Sequence, residues 1–392
     1  MSKSVKIGEI ASLKTGPFGT QFSAKEYTNS GVPVINVKNI GYGQIIEDEL
    51  EFVSELTKER LSEHVLKTGD IVFGRKGSVD RHAFIGEKYD GWVQGSDCIR
   101  LRFQNGINPR YVSHFLKLGH IKKQINHASV GSTMASLNTD ILKDILIMLP
   151  DIGTQNDIER ILSALESKIE LNTAICTELE SMAKTLYDYW FTQFDFPDEN
   201  GKPYRSSGGE MVWNNQLKRE IPKGWAVTTM SALTTVLTGK EDANFSTPNG
   251  NYKFFTCAQE TIFCDTPAFS GHAVLIAGNG DFNVKHYTGS FNAYQRTYVL
   301  IPKESKYYAI MYIVAQQQIQ AFKQGSNGSI VKFITKGDVE NIPIILPDND
   351  VCLDALNRIF DKIEHCEREN DELTKLRDWL LPMLMNGQAI VE

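Results

Sequence analysis

The sequence is short of two things: closely spaced cysteines and long hydrophobic runs. Its six cysteines form no C-x-x-C pair, and Cys257 and Cys264 stand seven positions apart, which is not a usual zinc-ligand spacing. We therefore expect small buried thiols and no bound metal. No apolar run reaches the roughly 18–20 residues that span a bilayer, and the N-terminal segment lacks the apolar core of a secretory signal. These absences predict a cytoplasmic protein.

Acidic residues outnumber basic ones, and the formal net charge is −7. The charge is unevenly distributed: residues 1–150 carry a net +3 and residues 201–347 a net +4, whereas residues 151–200 carry −8 and residues 348–392 carry −6. Because exposed charges more than about 10 Å apart are largely screened at ordinary salt, two mildly basic blocks can meet a nucleic acid despite acidic segments elsewhere. The charge pattern therefore permits DNA binding without indicating it.

The sequence repeats itself at a fixed interval. Residues 131–151 align without gaps on residues 328–348, an offset of 197, and both segments end in Leu-Pro-Asp. Earlier in each half, residues 69–77 correspond more loosely to residues 272–280, where a short apolar strand runs into a polar loop that contains glycine. This self-similarity predicts two domains of one architecture in tandem.

Both repeated blocks are predicted to be strand-rich. Runs of β-branched and aromatic residues bounded by turn residues indicate strands. One amphipathic helix is expected in each block, over Pro109–Ile125 and Tyr307–Phe322, with Pro109 at a first helical position. The fold class is therefore α+β, with two tandem mixed α/β domains. The expected strands are Val32–Val37, Asp70–Phe73 and Cys98–Phe103 in the first block, and Phe254–Phe255, Ala273–Ala277 and Thr297–Ile301 in the second.

Two segments carry mostly apolar residues every seven positions, which is typical of a coiled coil. Each repeat contains one asparagine, Asn172 in the first and Asn370 in the second. If the two helices pair antiparallel, these asparagines could lie near each other and set the register. The alternative is a plain amphipathic helix on a globular core. The first repeat comprises Ile158, Leu165, Asn172, Leu179 and Leu186, and the second Cys352, Ile359, Cys366, Leu373 and Leu380.

These patterns divide the chain into four parts. The first domain covers residues 1–150, a central helix residues 151–196, the second domain residues 197–347 and a distal helix residues 348–392. A helix of about 38 residues spans roughly 57 Å at 1.5 Å per residue. Ten base pairs of duplex DNA cover about 34 Å, so two domains at the ends of such a rod would contact DNA more than one turn apart.

Short motifs follow one another in a characteristic order along the chain. Together with the succession of domain, central helix, second domain and distal helix, they resemble the specificity (S) subunit of type I restriction–modification systems over essentially the whole chain. The second half departs from the first at Ala277–Gly280, where the first half has the basic loop Gly74–Gly77. The motifs are residues 15–21 (TGPFGTQ), 69–77 (GDIVFGRKG), 149–155 (LPDIGTQ), 187–197 (YDYWFTQFDFP) and 220–225 (EIPKGW).

The resemblance implies a non-catalytic protein that recognises DNA. Each domain would be a target-recognition domain that reads one half of a bipartite, asymmetric site. The long helices would form an antiparallel coiled coil with pseudo-twofold symmetry, set the spacer between the half-sites and dock two adenine-methylating subunits. Two motor-nuclease subunits would join the complex. S-adenosylmethionine, ATP and Mg²⁺ would bind those partners and not this chain, which would act in the prokaryotic cytoplasm.

Two short motifs offer an alternative, in which the chain is itself a DNA adenine methyltransferase or a nuclease. The segment Asn108–Tyr111 resembles a methyltransferase loop, but it lacks the second proline and opens the helix at Pro109. Glu166 and Lys168 resemble part of a metal-dependent nuclease motif, but residues two apart on a helix point about 200° apart. A coiled-coil adaptor without nucleic-acid function is a third possibility.

Candidate DNA contacts are polar and basic residues in turns at one end of each domain. Arginine pairs bidentately with guanine, asparagine and glutamine pair with adenine, and lysine contacts mainly phosphate. An ordinary solvated surface is the alternative for each residue taken alone. The candidates are Arg75, Lys76, Arg81, His82, Lys122, Lys123, Gln124, Ser132 and Thr133 in the first domain, and Asn279, Lys285, His286, Arg296, Lys323, Ser326, Asn327 and Lys332 in the second.

A dense run of aromatic residues lies at the end of the central helix, and exposed aromatic surface commonly marks a partner interface. We expect partner subunits to dock there and on the distal helix. The alternative is burial against the chain's own second domain. The candidate partner-binding residues are Tyr187, Trp190, Phe191, Phe194, Phe196, Trp379 and Leu384.

Overall fold

The computed structural model describes residues 3–129, 136–324 and 333–389 as a succession of short strands and helices together with two long helices. The long helices are Ile152–Tyr187 and Val351–Met385, and they coincide with the two segments that carry the seven-residue repeat. None of the helices in this part of the chain combines the length and apolarity needed to cross a membrane.

The residues group into two compact units. The first comprises residues 1–170 and 371–392, and the second comprises residues 171–370. Both divisions fall inside the long helices, so each globular block packs as one body with a stretch of both helices. The four-part division along the chain stays a prediction, because these units are defined by packing and not by sequence order.

The first unit is built on a five-stranded and a four-stranded sheet. In the larger sheet, Cys98–Phe103 lies between Ala11–Thr15 and Ile71–Gly74 and is antiparallel to both. Alternate residues of the strand Ile71–Gly74 enter different apolar clusters, because successive side chains point to opposite faces of a sheet. The strands are Lys3–Lys6, Ala11–Thr15, Tyr27–Thr28, Val32–Ile35, Tyr42–Gly43, Glu51–Val53, Ile71–Gly74, His82–Phe84, Val93–Gln94, Cys98–Phe103 and Leu146–Leu149, and the short helices are Ile7–Ile10, Glu55–Arg60, Pro109–Leu116, Gly119–Ala128 and Thr139–Lys143.

The segment that resembles a methyltransferase loop is a helix start. The side-chain oxygen of Asn108 accepts hydrogen bonds from the backbone N–H groups of Arg110 and Tyr111, at 2.9 and 3.0 Å. Pro109 occupies the first helical turn, where its missing N–H costs nothing. The interpretation of this motif as a helix cap is confirmed.

The helix expected over Pro109–Ile125 is wrong as a single element. The structure has two helices, Pro109–Leu116 and Gly119–Ala128. Leu118 has a ψ of 135°, which is not helical, and its side chain is buried in the core of the first unit. Burial of Leu118 therefore accompanies a break that the amphipathic pattern does not reveal.

The second unit is built on a six-stranded sheet. Its long strand Phe269–Ala277 lies between Thr297–Pro302 and Val284–Ala293 and is antiparallel to both. The helix expected over Tyr307–Phe322 is present as Tyr308–Gln324. The strands are Met211–Asn214, Arg219–Pro222, Ala226–Thr229, Thr234–Thr238, Tyr252–Phe255, Ile262–Cys264, Phe269–Ala277, Val284–Ala293, Thr297–Pro302 and Pro343–Leu346, and the other short helices are Met230–Leu233 and Lys336–Glu340.

The sequence repeat corresponds to a repeated structure. In the first unit the opening strand pairs antiparallel with Leu146–Leu149, and in the second Ala226–Thr229 pairs in the same way with Pro343–Leu346. Leu146 and Pro343 begin strands that are 197 positions apart, which is the offset of the sequence repeat. Each unit therefore has a strand–helix–strand segment, at residues 3–15 and 226–238, and a later strand that pairs with the first strand of that segment. The predicted internal repeat is confirmed.

In the second unit the two long helices are in contact and run antiparallel, because Asn172 meets Glu369 whereas Cys176, one turn further on, meets the earlier Ile363. The side-chain amide of Asn172 donates a hydrogen bond of 2.7 Å to Glu369, and that of Asn370 donates one of 3.2 Å to Thr173. Each pair is 197 positions apart, so residues that are equivalent in the two repeats meet each other. The two asparagines lie at the same level, as expected, but each bonds to the neighbour of the other.

In the first unit the two helices also approach each other in opposite directions. Ile158 and Leu162, near the start of the first long helix, share an apolar cluster with Leu384 and Met385, at the end of the second. The predicted antiparallel helix pair is therefore present in both units, each taken by itself.

The aromatic run after the central helix is buried, and this corrects the expectation of a partner surface. The helix Ile152–Tyr187 widens into one π-helical turn over Asp188–Thr192, and Phe194 has a φ of +66°, so the chain turns back. Phe196 then stacks on Trp225 with ring centroids 4.7 Å apart. The alternative, burial against the chain's own second domain, is what the structure has. The buried members are Tyr187, Phe191, Phe194 and Phe196, and Trp190 is half-buried.

The two candidates on the distal helix differ from each other. Leu384 is buried in the apolar cluster of the first unit, so its side chain is not available to a partner. The side chain of Trp379 is 60% exposed. A role in partner binding stays a prediction for Trp379.

We expect Trp225→Ala to lower the free energy of unfolding by about 3–5 kcal/mol, because it removes a large side chain at the centre of the aromatic cluster. The matched control is Trp213→Ala, since that side chain is 61% exposed and should change stability by less than about 0.5 kcal/mol. Denaturant unfolding of the two variants measures the difference. Equal losses in both would contradict the assignment of Trp225 to the core.

Candidate DNA-recognition surface

The loop that joins the strands Ile71–Gly74 and His82–Phe84 carries three of the candidate cations. The guanidinium carbon of Arg75 lies 4.8 Å from the ring centroid of Phe18, whose side chain is 42% exposed. Lys76 is exposed and lies 3.3 Å from the carboxylate of Asp97, a weak surface pair. The loop therefore holds Arg75 against an aromatic ring and leaves Lys76 near solvent.

The third cation of the loop shares a ring with a helix residue. The guanidinium carbon of Arg81 lies 5.4 Å from the ring centroid of Tyr42, and the ammonium nitrogen of Lys122 lies 4.2 Å from the same centroid. Both distances are within the range of a cation–π interaction. The structure thus brings together two candidates that are far apart in sequence.

Neither aromatic ring was among the residues selected from the sequence. Phe18 lies in the TGPFGTQ motif, which had served only to indicate a family, and Tyr42 stands between two glycines in a polar loop. Glycines on both sides of an aromatic residue indicate a tight turn, in which the ring can remain exposed. That pattern is the signal that could have found Tyr42.

The cations of the first domain fall into two groups. Arg102 forms a 2.6 Å ion pair with the buried carboxylate of Asp70, and Lys117 pairs with Glu166, so these charges are used inside the fold. Within the described ranges, Arg75 and Arg81 form no ion pair with a carboxylate. Their charges are therefore available to an external anion.

His82 is fully buried, which corrects its assignment as a DNA contact. One ring nitrogen lies 2.9 Å from the hydroxyl of Ser113, and the ring packs against Phe73. Burial lowers the pKa of His82 to about 3, and the positive charge of Lys117 contributes. The side chain is a neutral packing residue between a strand and a helix.

The remaining candidates of the first domain lie at the helix Gly119–Ala128 and beyond it. Lys123 and Gln124 are exposed on that helix. Ser132 and Thr133 lie outside the described residues. A DNA contact for these residues stays a prediction.

In the second domain the structure brings Asn279 and Arg296 to neighbouring loops. The backbone N–H of Gly278 donates a 2.9 Å hydrogen bond to the carbonyl of Arg296. A Cβ atom at position 278 would stand 2.7 Å from that carbonyl oxygen, so the close approach of the two loops requires glycine there. Asn279 is half-buried and Arg296 is exposed.

Lys285 and His286 lie on the strand Val284–Ala293 and differ in environment. The ammonium group of Lys285 donates a hydrogen bond to the backbone carbonyl of Ala258, and burial lowers the pKa of this lysine. Its charge is therefore turned towards the chain's own backbone, and a DNA contact for Lys285 stays a prediction.

His286 is buried, and this also corrects an expected DNA contact. Its ring nitrogen lies 3.8 Å from Glu180 and 4.0 Å from Glu367, one carboxylate from each long helix. Tyr312 approaches edge-on, with ring centroids 4.7 Å apart. Burial raises the pKa of Glu367, while the neighbouring His286 opposes that shift. This group connects the sheet of the second domain with both helices.

The last candidates of the second domain are at the edge of the described chain. Lys323 belongs to the helix Tyr308–Gln324, but its side chain lies outside the described part. Ser326, Asn327 and Lys332 lie outside the described residues altogether. Among the residues that the structure does describe, no group of three or more His, Cys, Asp or Glu side chains is placed to hold a metal ion.

Comparison with known proteins identifies the class. A family model described as the type I restriction modification DNA specificity domain matches residues 2–181 and 222–375. These two matches cover most of the chain, which therefore belongs to this family. Proteins of this class recognise DNA sequence and are not the catalytic components of their systems, and this chain is a specificity subunit of that kind.

Particular relatives carry the same designation. The specificity subunit of the type I restriction enzyme EcoDI from Escherichia coli is 34% identical over 180 residues, which cover 44% of this chain and 40% of that protein. The MjaIX specificity subunit from Methanocaldococcus jannaschii is 23% identical over 416 aligned positions, covering 98% of this chain and 92% of that protein. The crystal structure of a type I S subunit from M. genitalium shares the fold, with a TM-score of 0.60 at 14% identity over 98% of this chain and 96% of that chain.

The buried His82 predicts a specific pH dependence of stability. Its pKa is about 3 in the folded protein and about 6.5 when unfolded, so only the unfolded chain takes up a proton between those values. The stabilising contribution is complete above about pH 6.5 and is lost as the pH falls towards 3, by up to about 1.4 kcal/mol per pH unit. We therefore expect His82→Gln to weaken the decline of the unfolding free energy between about pH 6.5 and 4.5.

Denaturant unfolding at a series of pH values measures this slope. The matched control is His120→Gln, because His120 is exposed and its replacement should leave the slope as it is in the original protein. If His82→Gln and the original protein lose stability in parallel as the pH falls, the ring of His82 is not held neutral by burial.

Proposed function

We propose that the chain reads a bipartite, asymmetric DNA site, with one target-recognition domain for each half. The observation that carries this proposal is that the DNA-specificity family model matches both repeats. The candidate loops follow corresponding strands in the sheets of the two domains. A duplicated frame with different loop residues is suited to two different half-sites, because recognition depends on the side chains that the loops present.

For the first half-site we assign the contacts to the loop after Ile71–Gly74 and to the helix that follows. Arg75 and Arg81 lack ion-pair partners in the described chain, and Lys76 has only an exposed one. Arginine in such a setting suits guanine or phosphate, and lysine suits phosphate. The first domain would thus bind mainly through charge.

For the second half-site the neighbouring loops of Asn279 and Arg296 are the best-placed candidates. An asparagine side chain can bond to adenine through two groups, and an exposed arginine can bond to guanine or phosphate. The second domain has the side-chain amide of Asn279 where the first domain has the charges of Arg75 and Lys76. We therefore expect DNA binding by the second domain to depend less on salt concentration.

The reaction chemistry would belong to partner subunits. We propose that two adenine-methylating subunits and two motor-nuclease subunits assemble with the chain in the cytoplasm, and that S-adenosylmethionine, ATP and Mg²⁺ act in those partners. The paired helices would set the spacer between the half-sites.

Incubating the purified chain with DNA and labelled S-adenosylmethionine tests whether catalysis belongs to a partner subunit. Methyl transfer should begin only when the methylating subunit is added, and transfer by the chain alone would favour the methyltransferase alternative.

The proposal predicts different effects for two adjacent residues. Arg75→Ala should cost about 1–3 kcal/mol in binding and relax specificity at one position of the first half-site, if Arg75 contacts a guanine. Lys76→Ala should weaken binding evenly across sequences and reduce the salt dependence by about one contact. Methylome sequencing of a host with and without the chain supplies the half-sites, and binding to duplexes varied in one half-site at a time supplies the energies.

Asn279→Ala is the matched control, because it lies in the corresponding loop of the second domain. Its effect should be confined to the other half-site. Loss of discrimination in both half-sites from Arg75→Ala alone would contradict the idea that the two domains read independently.

A further inference from the structure

Tyr42 is presented at the tip of a tight turn in the first domain. The backbone N–H of Gly41 donates a 3.0 Å hydrogen bond to the carbonyl of Gln44, which closes the turn. Gly43 has a φ of +99°, in the left-handed region that favours glycine. The turn therefore needs its glycine, and it leaves the side chain of Tyr42 41% exposed.

The backbone of the turn also places Tyr42 beside the basic loop. The short strand Tyr42–Gly43 pairs in parallel with His82–Phe84, with Tyr42 opposite His82. Arg81 immediately precedes that strand, so the strand pairing brings its side chain next to the ring. The position of Tyr42 relative to Arg81 is thus set by backbone hydrogen bonds.

Two cations from different elements lie over this one ring. Arg81 comes from the loop before a strand and Lys122 from the helix Gly119–Ala128, at 5.4 and 4.2 Å from the ring centroid. The Nε atom of Arg81 is buried without a hydrogen-bond partner in the described chain. The ring of Tyr42 is therefore a contact that the structure gives to this guanidinium.

This arrangement has a cost that an anion would remove. Two like charges near one ring repel each other, and neither cation has an ion-pair partner within the described ranges. The aromatic face attracts both cations and so offsets part of the repulsion. A phosphate group placed between Arg81 and Lys122 would satisfy both charges.

We propose that Tyr42 is a positioning residue of the first recognition domain. Its ring holds Arg81 and Lys122 close together, so that both contact the DNA phosphate backbone. The inference rests on the proposed function, since it requires this surface to face DNA. Tyr42 acts through the two cations and does not read a base. Its loss should therefore weaken binding to any duplex and not alter sequence preference.

The test measures the affinity of the full-length chain for a fluorescent 30-base-pair duplex of arbitrary sequence, at several salt concentrations. Tyr42→Ala and Tyr42→Leu should each weaken binding by about three- to tenfold and reduce the salt dependence by one to two contacts. Tyr42→Phe keeps the ring and should stay within about twofold of the original chain. Tyr42→Leu keeps an apolar side chain of moderate size, so it separates the effect of the aromatic face from that of bulk.

A double-mutant comparison excludes a merely structural role. If Tyr42 acts through the cations, then Tyr42→Ala should add little to a chain that already carries Arg81→Ala and Lys122→Ala. An equal further loss in that background, or a loss in Tyr42→Phe as large as in Tyr42→Ala, would overturn the proposal.

The remaining outcomes distinguish the inference from the proposed function. If Arg81→Ala and Lys122→Ala weaken binding but the Tyr42 variants do not, the positioning role is wrong and DNA recognition by this domain stands. If neither cation affects binding, the phosphate grip is wrong, and Arg75→Ala then decides whether the loop faces DNA. Absence of duplex binding by the original chain would count against the proposed function itself.

Discussion

The packing of each long helix into the core of a globular domain is the constraint on which the rest of the structure depends. In the first unit Leu162 of the central helix is buried among residues of the first domain, and in the second unit Leu356 and Ile363 of the distal helix are buried with Val274 of the sheet. A helix of this length depends on tertiary packing of its apolar face for most of its stability. The apolar face of each long helix therefore packs against both the other long helix and a domain core.

The fold separates charges that hold the structure from charges that remain available to a ligand. Arg102 is fixed by the buried carboxylate of Asp70, and an uncompensated charge there would be costly. Arg75 and Arg81 rest instead on aromatic rings, which attract a cation without neutralising it. An aromatic ring thus positions a cation without removing its charge.

The five strands of the larger sheet in the first domain follow the same order as five of the six strands in the second domain's sheet, yet the corresponding loops differ in chemistry. In the first, the strand Ile71–Gly74 leads to Arg75 and Lys76, and in the second, Phe269–Ala277 leads to Asn279. Because the hydrogen-bonded frame is independent of the loop side chains, the loops can change without altering the fold. A duplicated architecture can therefore carry different loop side chains in its two copies.

The sequence by itself determined the features that depend on near neighbours. The repeat at 197 positions, the seven-residue pattern of the long helices and the cap at Asn108 all rest on regular spacing or on contacts within one turn. These features were predicted and are present. The break at Leu118 was not predicted, because a buried leucine continues an amphipathic pattern whether or not its ψ is helical.

Only the tertiary structure decided which polar and aromatic residues face inward. His82 meets Ser113 across 31 positions, and Tyr42 meets Arg81 and Lys122 through strand pairing and a helix that lie far along the chain. A histidine in a polar stretch looks the same in sequence whether it faces solvent or a helix. Burial is a property of contacts between distant segments, and the free energy that selects them is shared over the whole core.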